Sequence, residues 1–307
     1  MTDLICMGEP MLELNQQPAS GHGAPTFLQG HGGDTSNAAI AAARQGARVA
    51  YLTAVGQDAG GDSFMALWAA EGVETAHVVR DPLRPTAVYL VHHTERGHGF
   101  QYYRQGSAAS CYAPTHVPDE AVRAAKILYA SGISQGISDS AADAVFHAID
   151  VARGAGVKVA YDTNYRPRLW PAARASAIIH AAISQSSIAL PGLDDATALT
   201  GLSDPDAILD FYLHLGPELV VLKMGAAGSI LASPSQRLRI APFPCQPVDA
   251  TGAGDAFCGA FLARLIQGDQ PADAARYAAC AAALSTTGYG AVPPIPHAAA
   301  VLAALGR

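Results

Sequence analysis

The sequence is poor in charge: 15% of its 307 residues are Asp, Glu, Lys or Arg, and they sum to a formal −7. No run of Lys or Arg occurs, so the clustered positive charge that neutralises phosphate backbones is missing, and no nucleic acid is expected as a partner. Cysteine is scarce as well. Cys6, Cys111, Cys245, Cys258 and Cys280 are odd in number, widely spaced and never in a CxxC pair. That pattern excludes a disulfide scaffold and fits reduced, mostly buried thiols in a cytoplasmic protein. The alanine-rich stretches, such as 38–43, meet polar residues too soon to span a bilayer, so no membrane partner is expected. The opening Met1-Thr2-Asp3 has neither a basic segment nor a long apolar run, and no signal peptide is expected. Two nucleotide fingerprints are also absent. The P-loop string does not occur. The first strand ends Gly8-Glu9-Pro10, where proline prevents the glycine-rich helix opening of a dinucleotide fold.

What is present is apolar. Half of the residues are hydrophobic, enough for a large core. Buried strands are predicted over 4–8, 49–55, 127–130, 158–162, 187–190, 219–223 and 229–232, with a half-exposed strand over 11–14. Helices are predicted over 36–45, 62–71 and 141–152, and two more, 255–267 and 272–285, close the chain. A glycine-rich turn is expected over 30–34. Repeated βα units imply an α/β fold: a mostly parallel central sheet flanked by helices, with ligands at the C-terminal strand ends. The β-formers over 87–103, broken by a polar turn at 94–99, read as a hairpin that interrupts this alternation. One domain over 1–307 with a small β-rich insertion is the expected organisation.

The most informative string is Asp249-Ala250-Thr251-Gly252-Ala253-Gly254-Asp255-Ala256-Phe257. Pro244 and Pro247 resist helix before it, and Phe257, Phe261, Leu262 and Leu265 share a helical face after it. Residues 252–255 therefore open a helix. Glycines there let the backbone approach a ligand and aim N–H groups at it, and the helix dipole adds positive charge. That combination suits a phosphate and its transition-state charge. Asp255 in the first turn could also be only a helix cap. A second glycine turn, Leu222-Lys223-Met224-Gly225-Ala226-Ala227-Gly228, joins two predicted strands and could form the floor under a nucleotide, although alone it reads as a plain turn.

These motifs resemble the ribokinase-like (PfkB-type) carbohydrate kinases from end to end. The first signature is Gly32-Gly33-Asp34-Thr35-Ser36-Asn37-Ala38-Ala39, and the second is the 249–255 string. The resemblance implies that Gly252, Ala253 and Gly254 form an anion hole and that Asp255 is the base for the attacking hydroxyl. It implies that Thr251 and the 223–228 turn, with Lys223, Gly225 and Gly228, line the ATP side, with Mg2+ bridging the phosphates. Inserted segments over about 11–30 and 84–110 would form a lid over the sugar, and relatives of this kind assemble as homo-oligomers through such lids.

A narrower resemblance, to 2-keto-3-deoxygluconate kinases, rests on Asp162-Thr163-Asn164-Tyr165-Arg166-Pro167-Arg168-Leu169-Trp170 and on Tyr102-Tyr103-Arg104 followed by Gly106-Ser107-Ala108. Their substrate carries a carboxylate, and planar guanidinium groups at Arg104 and Arg166 suit it. Gly33, Asp34, Asn37, Tyr89, Tyr102 and Asn164 complete the implied substrate side, whereas Tyr103 and Arg168 read as structural. Many relatives carry Asn-x-x-Glu after the 187–190 strand. Pro191 and Asp194 stand there instead, and Asp194 is expected to help hold the metal through water. The helix N-terminus is expected to keep Asp255 ionised. A kinase for a neutral sugar or nucleoside, and a sugar-binding regulator without catalysis, remain the alternatives.

Overall fold

The computed structural model describes residues 2–17, 26–94 and 97–307. Residues 18–25 of the expected lid segment and 95–96 of the expected turn lie outside them.

The chain opens with β1 (Leu4–Met7), β2 (Met11–Gln16), β3 (Phe27–Gly32), α1 (Asp34–Arg44), β4 (Val49–Gly56), α2 (Ala59–Ala70) and β5 (Val78–Asp81). The hairpin β6 (Ala87–Thr94) and β7 (Gly97–Tyr103) follows, then α3 (Asp119–Ala124), β8 (Ile127–Ser131), α4 (Gly132–Gly136), α5 (Asp139–Gly154) and β9 (Lys158–Asp162). The second half holds α6 (Ala172–Ile183), β10 (Ile188–Ala189), α7 (Leu193–Thr200), α8 (Pro205–Leu215), β11 (Leu219–Lys223), β12 (Ser229–Ser233) and β13 (Gln236–Ile240). Three helices end the chain: α9 (Ala253–Ile266), α10 (Pro271–Ser285) and α11 (Ala298–Ala304).

Nine strands form the main sheet in the order β13-β12-β11-β10-β9-β8-β1-β4-β5. The pairs from β5 to β11 are parallel, and β12 and β13 join antiparallel at one edge. The apolar runs are explained by burial on both faces. Along β1, Leu4 and Cys6 face one core while Ile5 and Met7 face the other. The first core packs under α1, α2, α9 and α10, and the second under α5, α6 and α8. The smaller sheet runs β3-β2-β6-β7. Its β2–β6 pair is parallel and the others are antiparallel. Met11, Ala87, Tyr89 and Val91 form a small apolar cluster on one of its faces.

Three expectations are corrected. The glycine-rich segment before α1 is not a turn throughout: β3 continues to Gly32, paired with Met11, and only Gly33 has positive φ. The Tyr89 ring fills the place a side chain at Gly32 would need. Two helices were expected to close the chain, and α11 is a third, burying Val301 in the first core. The smaller sheet ends at Tyr103, and Ala108 already belongs to the main body's second core.

Candidate active site

The site is built where α9 begins. Asp249 Oδ1 accepts from the backbone N–H and the hydroxyl of Thr251, at 2.9 and 2.6 Å, and its Oδ2 accepts from Gly290 N–H at 2.9 Å. The loop is thereby pinned on both sides before the helix starts. Gly252 then takes the left-handed conformation (φ 76°), which only glycine adopts without strain, and its carbonyl accepts from Ala256. Among the described residues, Ala253 N–H bonds Ala250 O at 3.2 Å, whereas the N–H groups of Gly254 and Asp255 have no protein acceptor. Those two amides remain for an anion at a fourteen-residue helix's N-terminus.

Asp255 faces α1. Asn37 Nδ2 donates to its Oδ2 at 2.9 Å. The contact depends on a close helix crossing, because a Cβ at Gly259 would overlap the Ala38 carbonyl oxygen. One turn earlier on α1, the buried Asp34 accepts at Oδ2 from Asn164 Nδ2, 2.9 Å away. Asn164 is held in the left-handed region (φ 30°), and its N–H bonds Asp162 Oδ1 at 3.2 Å. Asp162 Oδ2 in turn accepts from Lys223 Nζ at 2.5 Å, and that ammonium also reaches Cys258 Sγ at 3.3 Å. A Cβ at Gly254 would stand 3.8 Å from Lys223 Nζ, so the Lys223–Asp162 pair lies directly beneath the first turn of α9.

The electrostatics reverse one expectation. Burial, then repulsion from Asp34, raises the Asp255 carboxyl well above the ordinary carboxylate range; the Asn37 bond and Lys223 only partly oppose this. Burial and the two neighbouring acids, Asp34 and Asp162, set this direction. Asp34 is raised as well, by burial first and by Asp162, against Ser131, the Thr35 N–H and Arg166. Burial works against the charge on Lys223, but Asp162 beside it raises its pKa overall.

On the smaller sheet, the Tyr89 hydroxyl donates to Glu13 Oε2, and the half-exposed Tyr102 lies parallel to Phe100. The Arg104 guanidinium carbon sits 5.5 Å from the centre of the Tyr102 ring, and the side chain is ion-paired to Glu9, two residues beyond the end of β1. Arg166 extends from the loop after β9, donates to Tyr165 O at 3.0 Å and lies close enough to Asp34 and Asp195 to stabilise their charges. Arg168 bonds Phe100 O at 3.1 Å and so links the body to the smaller sheet.

Gly225 and Gly228 bracket the turn between β11 and β12, both with positive φ, and a Cβ at Gly228 would overlap the Ile240 carbonyl oxygen. Asp194, in the first turn of α7, is exposed. Its neighbour Asp195 turns inward to accept from Thr163 Oγ1 and Tyr165 N–H, at 3.3 and 3.2 Å. No group of three or more metal-binding side chains occurs among the described residues.

Asp162, Asp195 and Glu9 stand within stretches that resemble the family but were given no role from sequence, and Glu13 was not singled out. Nothing local distinguishes Glu9, whose partner is 95 residues away.

Comparison with known proteins follows from this geometry. Residues 1–298 match the model of the "pfkB family carbohydrate kinase". The chain belongs to that family. Among its relatives, a 2-dehydro-3-deoxygluconokinase of Thermoproteus tenax is 33% identical over 290 residues, 92% of this chain and 88% of the relative. Fructokinase-1 of Oryza sativa subsp. japonica is 30% identical, over 91% of this chain and 89% of its own. Among solved structures, a PfkB protein from Polaromonas sp. JS666 is 30% identical with a TM-score of 0.89, covering 99% of this chain and all of its own. A fructokinase from Xylella fastidiosa with bound ATP is 26% identical with a TM-score of 0.91, over 99% and 98%. This pfkB-family member is a carbohydrate kinase with the ribokinase-like fold. No helix among the described residues is long and apolar enough to cross a membrane.

Proposed function

We propose that the chain transfers the γ-phosphoryl group of ATP to the 6-hydroxyl of 2-keto-3-deoxygluconate or its galactonate epimer. The observation that carries this reading is a pair of guanidinium groups near the Asp34 carboxyl: Arg166 acts on its charge directly, and Arg104 is paired to Glu9, which itself feels Asp34. A sugar acid gives them a carboxylate to bind, and a neutral sugar does not. The Thermoproteus relative, named for this sugar acid, supports the same reading.

In this mechanism Asp255 Oδ accepts the proton of the attacking hydroxyl, and Asn37 holds that carboxylate in place. The N–H groups of Gly254 and Asp255 face the charge that develops on the transferring phosphoryl group, and Gly252 shapes their approach. Ala253 contributes its place in the turn rather than its N–H, which Ala250 engages. Thr251, Gly225 and Gly228 line the nucleotide side. Lys223 fixes the floor through Asp162. Asp194 and Asp195 would be the outer carboxylates for Mg2+ carried in with ATP, which would supply charge neutralisation at the phosphates. On the sugar side, Gly33, Asp34, Asn37, Tyr89, Tyr102 and Asn164 supply a close backbone approach and hydrogen bonds. The smaller sheet acts as a lid that excludes water. Its exposed Phe27, Leu28, Phe100 and Tyr103 support pairing with a second copy, which sedimentation would test.

The deciding experiment is an ADP-release panel with both keto-acid epimers, fructose and ribose. A kcat/KM for either acid at least about tenfold above the neutral sugars supports the reading. A preference for fructose overturns it in favour of a neutral-sugar kinase, a reading that the fructokinase relatives support. Sugar binding without ADP formation would overturn both.

A further inference from the structure

Glu9 stands two residues beyond the end of β1 with its side chain fully out of solvent, a rare place for a carboxylate. Burial raises its pKa; Arg104 acts against that, Asp34 adds to it, and Ser107 offers a smaller counterweight. Among the described residues Arg104 is its one ion-pair partner, and Glu9 Oε1 has none. The contact has a definite geometry. Arg104 Nε donates to Glu9 Oε2 at 2.9 Å, and Nη2 donates to the same oxygen. Glu9 therefore occupies the side edge of the guanidinium. Of its five N–H groups, the two on Nη1 and one on Nη2 are left, and these make the end-on fork.

The surroundings fix both partners. Arg104 leaves the end of β7 in a turn closed by Ser107 N–H on Arg104 O at 3.0 Å, and its guanidinium is held over Tyr102. Glu9 is locked from behind. A side chain at Gly33 would overlap the Glu9 carbonyl oxygen, and one at Gly8 would overlap Thr35 Oγ1. The β1 end, the 33–35 segment and the start of α1 thus pack as one block, to which Arg104 is tied from the smaller sheet.

We infer that Glu9 is a positioning residue for substrate selection: it holds the side edge of Arg104 so that the end-on fork is presented to the ligand's carboxylate. The inference rests on the sugar-acid reading above and adds to it the residue that makes Arg104 selective. Arg104 alone would be a flexible side chain whose charge is shared among many orientations, and a displacement of about 1 Å from a binding geometry can cost up to about a hundredfold.

The test compares Glu9→Met, Glu9→Gln and Arg104→Met in the full chain, with KM and kcat for the keto acid, for fructose and for ATP. Glu9→Met is expected to raise the KM for the acid about tenfold or more, leaving the KM values for ATP and fructose within about threefold. Glu9→Gln, which keeps an acceptor oxygen for Nε and Nη2, is expected to stay within about threefold for all three. Should the methionine variant fail to fold, Glu9→Asp, whose carboxylate is withdrawn by one methylene, takes its place with the same expected direction. If Arg104→Met loses the acid selectively and the Glu9 variants do not, the positioning role is overturned while the sugar-acid reading survives. If Arg104→Met leaves the preference for the acid unchanged, both are overturned. Equal losses on acid and fructose in the Glu9 variants would mean general damage, and overturn the positioning role.

Discussion

The two ends of the candidate site are built from different material. At the start of α9 the chemistry is mostly backbone: Gly252 in its left-handed turn, two unengaged N–H groups, and one carboxylate among them. At the smaller sheet it is side chains crossing between elements: Arg104 to Glu9, Tyr89 to Glu13, Arg168 to Phe100. A backbone site can recognise phosphate in any relative, because the peptide is the same in all of them. A side-chain site can change its ligand with one substitution. On the proposed reading, the difference separates catalysis, at the backbone end, from specificity, at the side-chain end.

That contrast can be broken by experiment, and the largest effect belongs to the backbone end. Asp255→Asn should lower kcat by about 10²–10⁴ while the Kd for ATP changes little, since the nucleotide is met by loops rather than by this carboxylate. Stopped-flow nucleotide binding beside ADP release checks both halves. Next in size is Lys223→Met, which strands a buried Asp162 and should cost about 3–5 kcal/mol in denaturant unfolding. Asp162→Asn combined with Lys223→Met should recover much of that loss, because both charges are then gone.

A smaller effect concerns stability against pH. The folded-state pKa of Asp255 is raised, so its protonated form favours the folded chain; that contribution is full below the unfolded carboxylate pKa and is lost as pH rises through the raised value. Asp255→Asn should therefore melt higher than the unmodified chain at pH 9 and show little or no gain at pH 4. The smallest effect is at Asp194, which is exposed on α7. Its change to Asn should alter the magnesium requirement by about threefold or less and leave stability within about 0.5 kcal/mol. A large effect there would mean that the metal meets the protein directly.

Much of the main body was legible in the sequence, because strands buried on both faces read as apolar runs: β4, β8, β9 and β11 lie where such runs occur. β13 was not, since Gln236-Arg237-Leu238-Arg239-Ile240 is an edge strand with charged side chains in solvent. The short α4 and α7 carry too few residues for a helical period to emerge. At the site, the motif residues Asp34, Asn37, Asn164 and Asp255 were legible by type, and folding joins them in two hydrogen-bonded pairs. Their electrostatics were not. The expectation of an ionised Asp255 considered only its own helix, whereas burial in the assembled fold, and then the charge of Asp34 on another helix, oppose ionisation. The pairing of Glu9 was not legible either: a buried counter-ion is defined by its partner, here 95 residues away, not by its neighbours in the chain.

The most direct test is the pH dependence of kcat/KM for ATP-dependent phosphorylation, measured in the unmodified chain and in Asp255→Asn. A base with a raised pKa should give an activity that climbs with pH through an inflection above the ordinary carboxylate range, and the residual activity of the variant should lack that inflection. The same inflection persisting in Asp255→Asn would assign the proton to another group and contradict the role given to this carboxylate.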